Sequence, residues 1–500
     1  MLLGKKLSSK NLDHQLLPKF IALPIFSSDP LSSVAYGPQE LIMILTLGGV
    51  GLLTAAPGIA AVVVLLLGVI VLSYRKVIKA YPSGGGDYEV AMKNLGKKPA
   101  LIVASALLLD YVMTVAVSIA SGTDNLISAF PALDPWRVEI AVGFIIFLLA
   151  VNLRGVRESG TAFAIPTYLF MASVFVMIAM GAFRLATGQE VVAISAQYHV
   201  TPMEQLGNAT NAAAILLMLR AFASGCSALT GIEAIANGVP AFRKPKVKNA
   251  QITMGLMGGA AVFMFIGVTA LALISRVHYA EDPCAQLTQW AACATDPQMS
   301  VMAQIGGAVF GYNNWMFFVL QAGTAAVLLL AANTAFNGFP LLSSVLANDK
   351  FAPKALLTRG DRLVYSNGML SLSAAALVLI LVYQASVTGL IQLYIIGVFT
   401  SFTIGQIGML KHWGRLQKPK KKLSALENAA NRKEAMSGIL INGLGALMTG
   451  SVLIIVTITK FFHGAWLVFI IMPVLFAVMF YTRRYYDQVS REIQMDSDTT

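Results

Sequence analysis

Long apolar stretches follow one another from residue 19 to residue 482, separated by shorter polar segments. Each is close to the roughly 20 residues that cross a bilayer core of about 30 Å as a helix. The pattern predicts twelve helices, at 19–48, 54–79, 99–130, 137–153, 158–187, 210–240, 249–275, 313–346, 367–384, 388–411, 437–459 and 465–482. It divides the chain into a polar tail at 1–18, a ten-helix core at 19–411, a basic loop at 412–436, two further helices within 437–482, and a short tail at 483–500.

Two of the helices carry breakers at matching places. The first contains IALPIFSSDPLSSVAYGPQE, with Pro24, Pro30 and Pro38. Proline removes a backbone donor, and Pro30 is expected to push Asp29 out of helical geometry. The sixth contains ASGCSALTGIEAIANGVP, with Gly225, Gly231 and Gly238. Irregular backbone at membrane depth is tolerated where it lines a protein cavity. Helices one and six are equivalent positions in two five-helix halves, about 19–187 and 210–411. A matched pair of interrupted spans points to an inverted-repeat transporter with its site at the midplane.

Composition agrees with the pattern. Hydrophobic residues make up 57% of the chain and charged residues 12%, with a mean hydropathy of +0.71. A soluble chain carries roughly 25% charged residues, so the expected class is an all-α polytopic membrane protein. The net charge of +12 would suggest nucleic acid in a soluble protein. Here 31 of the 36 Lys and Arg lie before the first span, after the last, or in alternate loops. Cationic loops mark the cytoplasmic side, which predicts a cell-membrane protein with both termini in the cytoplasm and no nucleic-acid partner. The KPKKK run in loop 412–436 reads as an orientation anchor that favours anionic headgroups. The polar, basic start argues against a cleavable signal peptide.

Three deep acidic residues, Asp29, Asp110 and Glu233, change the picture most. Each costs about 2.5–3.5 kcal/mol at a helix centre. Arg220, also within a span, is expected to neutralise an outer carboxylate such as Glu40 or Asp124. That leaves the three acids short of cations, as a cation site would be. In helix three, Tyr111, Thr114 and Ser118 fall on one face at i, i+3 and i+7. Thr230 and Glu233 repeat a polar i, i+3 pair in the sixth span, and Asp29 and Tyr36 flank the break in the first. Cys284 and Cys293 share the outer loop 276–312, in the compartment where disulfides persist. A bridge is predicted, two free thiols being the alternative; Cys226 has no evident partner.

The segments SSDPLSSVAYGP, YPSGGGDYEVA, LDYVMTVAVSIASG, SGCSALTGIEAIANGVPAF, AANTAFNGFPLLSSVLAND and RGDRLVYSNG together resemble the amino acid–polyamine–organocation superfamily. Within it they are most similar to KimA-like potassium importers of the KUP branch, over residues 19–482. The resemblance implies a LeuT-type fold, a 5+5 inverted repeat with broken helices 1 and 6 plus two further helices, working as a potassium–proton symporter. It implies a potassium site built from Asp29, Tyr36, Tyr111, Thr114, Ser118, Thr230, Glu233 and Tyr394. Glu233 is expected to couple the proton. Larger members carry a cytosolic C-terminal domain, whereas this chain ends at Thr500, a departure that puts nucleotide regulation and dimerisation through such a domain in doubt. The expected partners are potassium, a proton and the lipid bilayer, with a homodimer as the candidate assembly and no cofactor.

The runner-up is an amino-acid or polyamine permease. Such permeases hold a substrate carboxylate on exposed backbone N–H groups and half-helix ends. The SSDPLSS break has no glycine and carries Asp29, which repels a carboxylate and attracts a cation. Span 158–187 also lacks the lysine that proton-coupled amino-acid permeases of similar fold place there. Asn333 and Thr334 leave sodium as an alternative coupling ion. The five histidines lie in loops, tails or span ends, and no HExxH occurs, which argues against an enzyme. A pore also uses oxygen-lined sites, but paired broken helices favour alternating access.

Overall fold

The computed structural model describes residues 16–84, 86–154, 160–202, 211–293, 295–358, 365–419, 424–461 and 464–492. Most of the expected tail at 1–18, Arg157 and most of the KPKKK run lie outside them. In order, the helices are α1 (Lys19–Ser32), α2 (Gly37–Thr46), α3 (Val50–Leu53), α4 (Ala56–Ala80), α5 (Asp87–Asn94) and α6 (Lys97–Ala129). Next come α7 (Arg137–Leu153), α8 (Gly160–Ala186), α9 (Asn211–Gly225), α10 (Ala234–Asn237), α11 (Lys246–Ile274) and α12 (Pro283–Gln286). The last are α13 (Val301–Phe310), α14 (Trp315–Asn348), α15 (Ser366–Val382), α16 (Val387–Leu416), α17 (Ala425–Lys460) and α18 (Val468–Glu492). One small antiparallel ribbon pairs His199–Val200 with Leu287–Thr288.

Ten helical stretches among the described residues are long and apolar enough to cross a bilayer. Two of the twelve expected spans are not among them. The first is divided into α1 and α2, and the ninth is the 17-residue α15. Three further segments depart from expectation. The outer loop 276–312 contains α13, a buried apolar helix started by the Ser300 hydroxyl, which accepts from Ala303 N–H at 3.2 Å. Loop 412–436 is mostly helix, because α17 begins at Ala425. There Ser424 and Glu427 exchange the two hydrogen bonds of a capping box. The final tail is helical through Glu492.

Burial sorts the helices. In α6 the apolar window is 78% buried and in α18 only 17%, so α6 is central and α18 peripheral. α14 and α16 pack along α6, and α17 packs along α16. That last contact holds a buried polar chain. Trp413 Nε1 donates to Asn442 Oδ1 at 2.8 Å, and Asn442 Nδ2 donates to Gln406 Oε1 at 2.7 Å and to Ser73 Oγ at 2.5 Å. Ser73 in turn donates to Gln406.

Both described ends share one face. Leu17 N–H donates to Ala241 O at 2.8 Å, and Gly84 and Gly86 pack on Asn237, Gly84 also on Pro240. On the same side, Tyr88 of α5 donates to Asp349 at 2.9 Å, and Lys350 donates to Ser490 of α18 at 3.2 Å. The opposite, far face carries the ribbon, the Cys284–Cys293 bond with its Cα atoms 5.3 Å apart, and the C-terminal end of α17. Burial shifts the His278 ring there below its ordinary pKa.

Candidate cation site

The first span breaks later than expected. α1 continues through Pro24 and Pro30 to Ser32, with Asp29 inside it, and the chain tightens into a 3-10 turn at Ser33–Ala35 before Tyr36 starts α2. A side chain completes what Pro24 removes. Phe20 O, which Pro24 cannot serve, accepts from the Tyr168 hydroxyl at 2.9 Å. Ser32 Oγ donates to Asp29 O at 2.9 Å and Ser33 Oγ to Pro30 O at 2.8 Å.

In the sixth span, α9 gives way to a 3-10 turn at Cys226–Leu229, then to extended backbone at Thr230 with φ −70° and ψ 152°. Gly231 follows with φ +75°, a region that L side chains rarely adopt. A Cβ at Gly231 would fall on the Asp29 carboxylate. Glycine is thus required there both for the turn and for the close approach of Asp29.

The two breaks are tied face to face. Ser33 Oγ also donates to Ala228 O at 3.0 Å, and the Tyr36 hydroxyl meets Thr230 Oγ1 at 3.2 Å. From α6, Thr114 Oγ1 meets the Tyr394 hydroxyl of α16 at 2.9 Å. Tyr394 lies within electrostatic range of Asp29, Asp110 and Tyr36, and Tyr111 within range of Glu233, Asp110 and Asp29. Tyr111 also packs its ring on Gly338 of α14. Of the eight expected site residues, Tyr111 is half-buried and the others are no more than 7% exposed.

Asp110 belongs with this group, although the expected ligand set omitted it. The charges acting on it are Glu233, Asp29 and Asp87, all carboxylates. Asp29 Oδ1, Asp110 Oδ1, Glu233 Oε2 and Ser118 Oγ are buried and make no hydrogen bond within the protein. Buried polar atoms are ordinarily paired. A set of unpaired oxygens with negative charges among them is suited to a desolvated cation and unsuited to a carboxylate. The signal in the sequence was depth alone; the charges that act on Asp110 come from residues far apart in the chain.

Other expected residues lie elsewhere. Asn333 Oδ1 accepts from Asn152 at 2.6 Å, and Thr334 Oγ1 donates to Ala331 O at 2.7 Å. Asp124 pairs with Arg137, not with Arg220. Arg220 lies 3.8 Å from Glu281, and Glu40 also acts on it.

Asp87, first residue of α5, is a separate buried carboxylate near the N-terminal face. Its Oδ2 accepts from Tyr74 at 2.7 Å and from Ser401 at 2.9 Å. Burial pushes its carboxyl up to about 6, against the lowering effect of those two hydroxyls.

Residues 32–482 match the family model described as amino acid permease. The potassium transporter KimA of Bacillus subtilis (strain 168) is 41% identical over 495 residues, covering 99% of this chain and 75% of that one. The low-affinity putrescine importer PlaP of Escherichia coli (strain K12) is 22% identical over 293 residues, 57% of each chain.

Proposed function

The chain belongs to the amino acid permease family, a family of transporters and not of enzymes, and from that premise we propose that it imports potassium together with a proton. The reading rests most on one observation. Asp29, seated against Gly231 between two broken spans, shares electrostatic range with Asp110, Tyr36 and Tyr394. The similarity to a potassium transporter over almost the whole chain supports the choice of ion.

In this reading the twelve spans form a LeuT-type 5+5 repeat in the cell membrane, with both termini cytoplasmic. Asp29 supplies charge. The hydroxyls of Tyr36, Tyr111, Thr114, Ser118, Thr230 and Tyr394 replace water around the ion, and Asp110 adds to the negative field. Alternating access moves the paired breaks against the helices around them. Glu233, one residue before α10, carries the proton.

Energetics favour a coupled proton. Import from micromolar medium into about 0.1 M opposes roughly 5.5–7 kcal/mol. A potential of about 120 mV returns only roughly 2.8 kcal/mol per charge. A second moving charge doubles that term.

The test is flux into liposomes that report lumen pH. Potassium added outside should enter and acidify the lumen, and Glu233→Gln should abolish the acidification. Acidification that persists in Glu233→Gln moves the coupling role to another group. A polyamine is the second reading, favoured by the carboxylate-rich site and by the likeness to a putrescine importer. Putrescine that enters and displaces potassium at equal concentration would decide for it.

A further inference from the structure

A second buried charged cluster lies toward the far face and takes no part in the ion site. Glu40 of α2 and Lys460, the last residue of α17, are both completely buried, and Arg220 of α9 is 8% exposed. Glu40 Oε1 accepts from Thr388 Oγ1, near the start of α16, at 3.2 Å. The groups acting electrostatically on Lys460 are Glu40, Arg220, Cys226 and Glu281, and those acting on Glu40 include Lys460, Glu281 and Arg220. Lys460 Nζ, Glu40 Oε2 and two Arg220 nitrogens make no hydrogen bond within the protein.

The placement of these four groups gives the cluster its meaning. α2 and α9 are the far-face halves of the two broken spans. The start of α16 and the end of α17 meet them there, with α9 packed against both α2 and α17. Burying an ion costs several kcal/mol unless a partner compensates. A cluster of two acids and two bases is compensated only while its helices stay together. Charges shared between the broken spans and the helices around them therefore weight the equilibrium toward the arrangement in which the far face is shut.

We propose that Glu40, Lys460, Arg220 and Glu281 form an electrostatic latch that closes the far-face route to the cation site and must part for an ion to enter. It rests on the alternating-access part of the reading above. Ionic attraction between the half-helices and α17 holds the closed arrangement, and Thr388 fixes the orientation of the Glu40 carboxylate. The latch residues touch no ion; they position the helices that do.

The chain carries its own reporter. Of its three cysteines, two are bonded and Cys226 is free and buried, between the far-face half-helix and Thr230. The experiment follows alkylation of Cys226 by a membrane-impermeant thiol reagent, in sealed liposomes with the far face outward, under potassium gradients of either direction. In the wild type the rate should depend on the gradient. Glu40→Gln and Lys460→Met should raise the rate about tenfold and slow uptake, whereas Lys460→Arg, which keeps the charge, should restore both toward wild type. Thr388→Val removes a hydroxyl and no charge, and should raise the rate about threefold; it keeps the test decisive where loss of a charge prevents folding.

A gradient-sensitive wild type with variants that label no faster overturns the latch alone, whether or not their uptake falls. A wild-type rate indifferent to the gradient overturns alternating access and the latch together.

Discussion

The two buried charge clusters differ in sign, and the difference separates their work. Around the breaks, the charges acting on Asp110 are all negative, and several oxygens are left without partners. Toward the far face, Glu40 and Glu281 are mixed with Arg220 and Lys460. A same-sign cluster is unstable by itself and is relieved by a cation from outside the protein. A mixed cluster is relieved from within, and only while its helices stay together. In the proposed reading the first arrangement recognises an ion and the second a conformation. Each includes residues of the same pair of broken spans.

The largest way to break this comparison is Asp29→Asn. The carboxylate becomes a neutral amide of similar size, and potassium uptake should fall by about 100-fold, the loss of a charge-assisted contact of roughly 3 kcal/mol, while the purified protein still elutes as a single species. Uptake near the wild-type rate would show that the negative site is not the ion site. Gly231→Ala probes the geometry instead of the charge. The new methyl meets the Asp29 carboxylate and the backbone must hold φ +75°, so about a tenfold loss of uptake is expected. A fully active alanine variant would mean that Asp29 does not stay against Gly231 during transport.

Tyr394→Phe sharpens the comparison at the edge of the site. It removes the hydroxyl that meets Thr114 at 2.9 Å. The half-saturating potassium concentration should rise about fivefold, near the 1 kcal/mol of an ordinary hydrogen bond, with the maximal rate little changed. An unchanged half-saturation would remove Tyr394 from the ion's shell.

The smallest effect on transport is expected at Asp87, a buried carboxylate that already has two hydroxyl donors. Its carboxyl rises from 3.8 to about 6 on burial. The folded state therefore holds this proton more tightly than the unfolded one. Its stabilising contribution is full below pH 3.8, declines as pH rises to about 6, and is absent above; the span is roughly 3 kcal/mol. Asp87→Asn should flatten the pH dependence of thermal unfolding in that window and change potassium affinity less than Tyr394→Phe does. A variant with the same slope as the wild type would assign that slope to other groups.

What could be read in advance follows how local each signal is. Apolar length is local, so the long spans were legible, and prolines and glycines announced both breaks. The place of the first break was not, because the Tyr168 hydroxyl that serves the Phe20 carbonyl freed by Pro24 comes from a distant helix. α13 escaped notice because ten apolar residues cannot span a membrane, though Ser300 marks its start. Asp110 was recognised as deep, but its company, Asp29, Glu233 and Asp87, comes from other helices and turns. Lys460 directly follows the eleventh expected span, and its burial within range of Glu40 depends on α17 packing against α9. No pattern along the chain encodes that meeting.

The polar chain from Trp413 through Asn442 to Gln406 and Ser73 bears on how the protein divides into modules. By position, α17 and α18 follow the expected ten-helix core and look dispensable. Yet α17 supplies Asn442, whose amide donates to both Ser73 and Gln406 while its carbonyl receives the Trp413 indole. A chain ended after α16 would leave the Trp413 donor without its acceptor and the two oxygens without that donor, in surroundings with little water to replace it. At about 1–3 kcal/mol for an orphaned buried donor, such a fragment begins with a deficit that takes a sizeable part of a domain's roughly 5–15 kcal/mol. A minimal transporter cut from this chain must therefore keep α17, or replace Trp413, Gln406 and Ser73 with apolar side chains together.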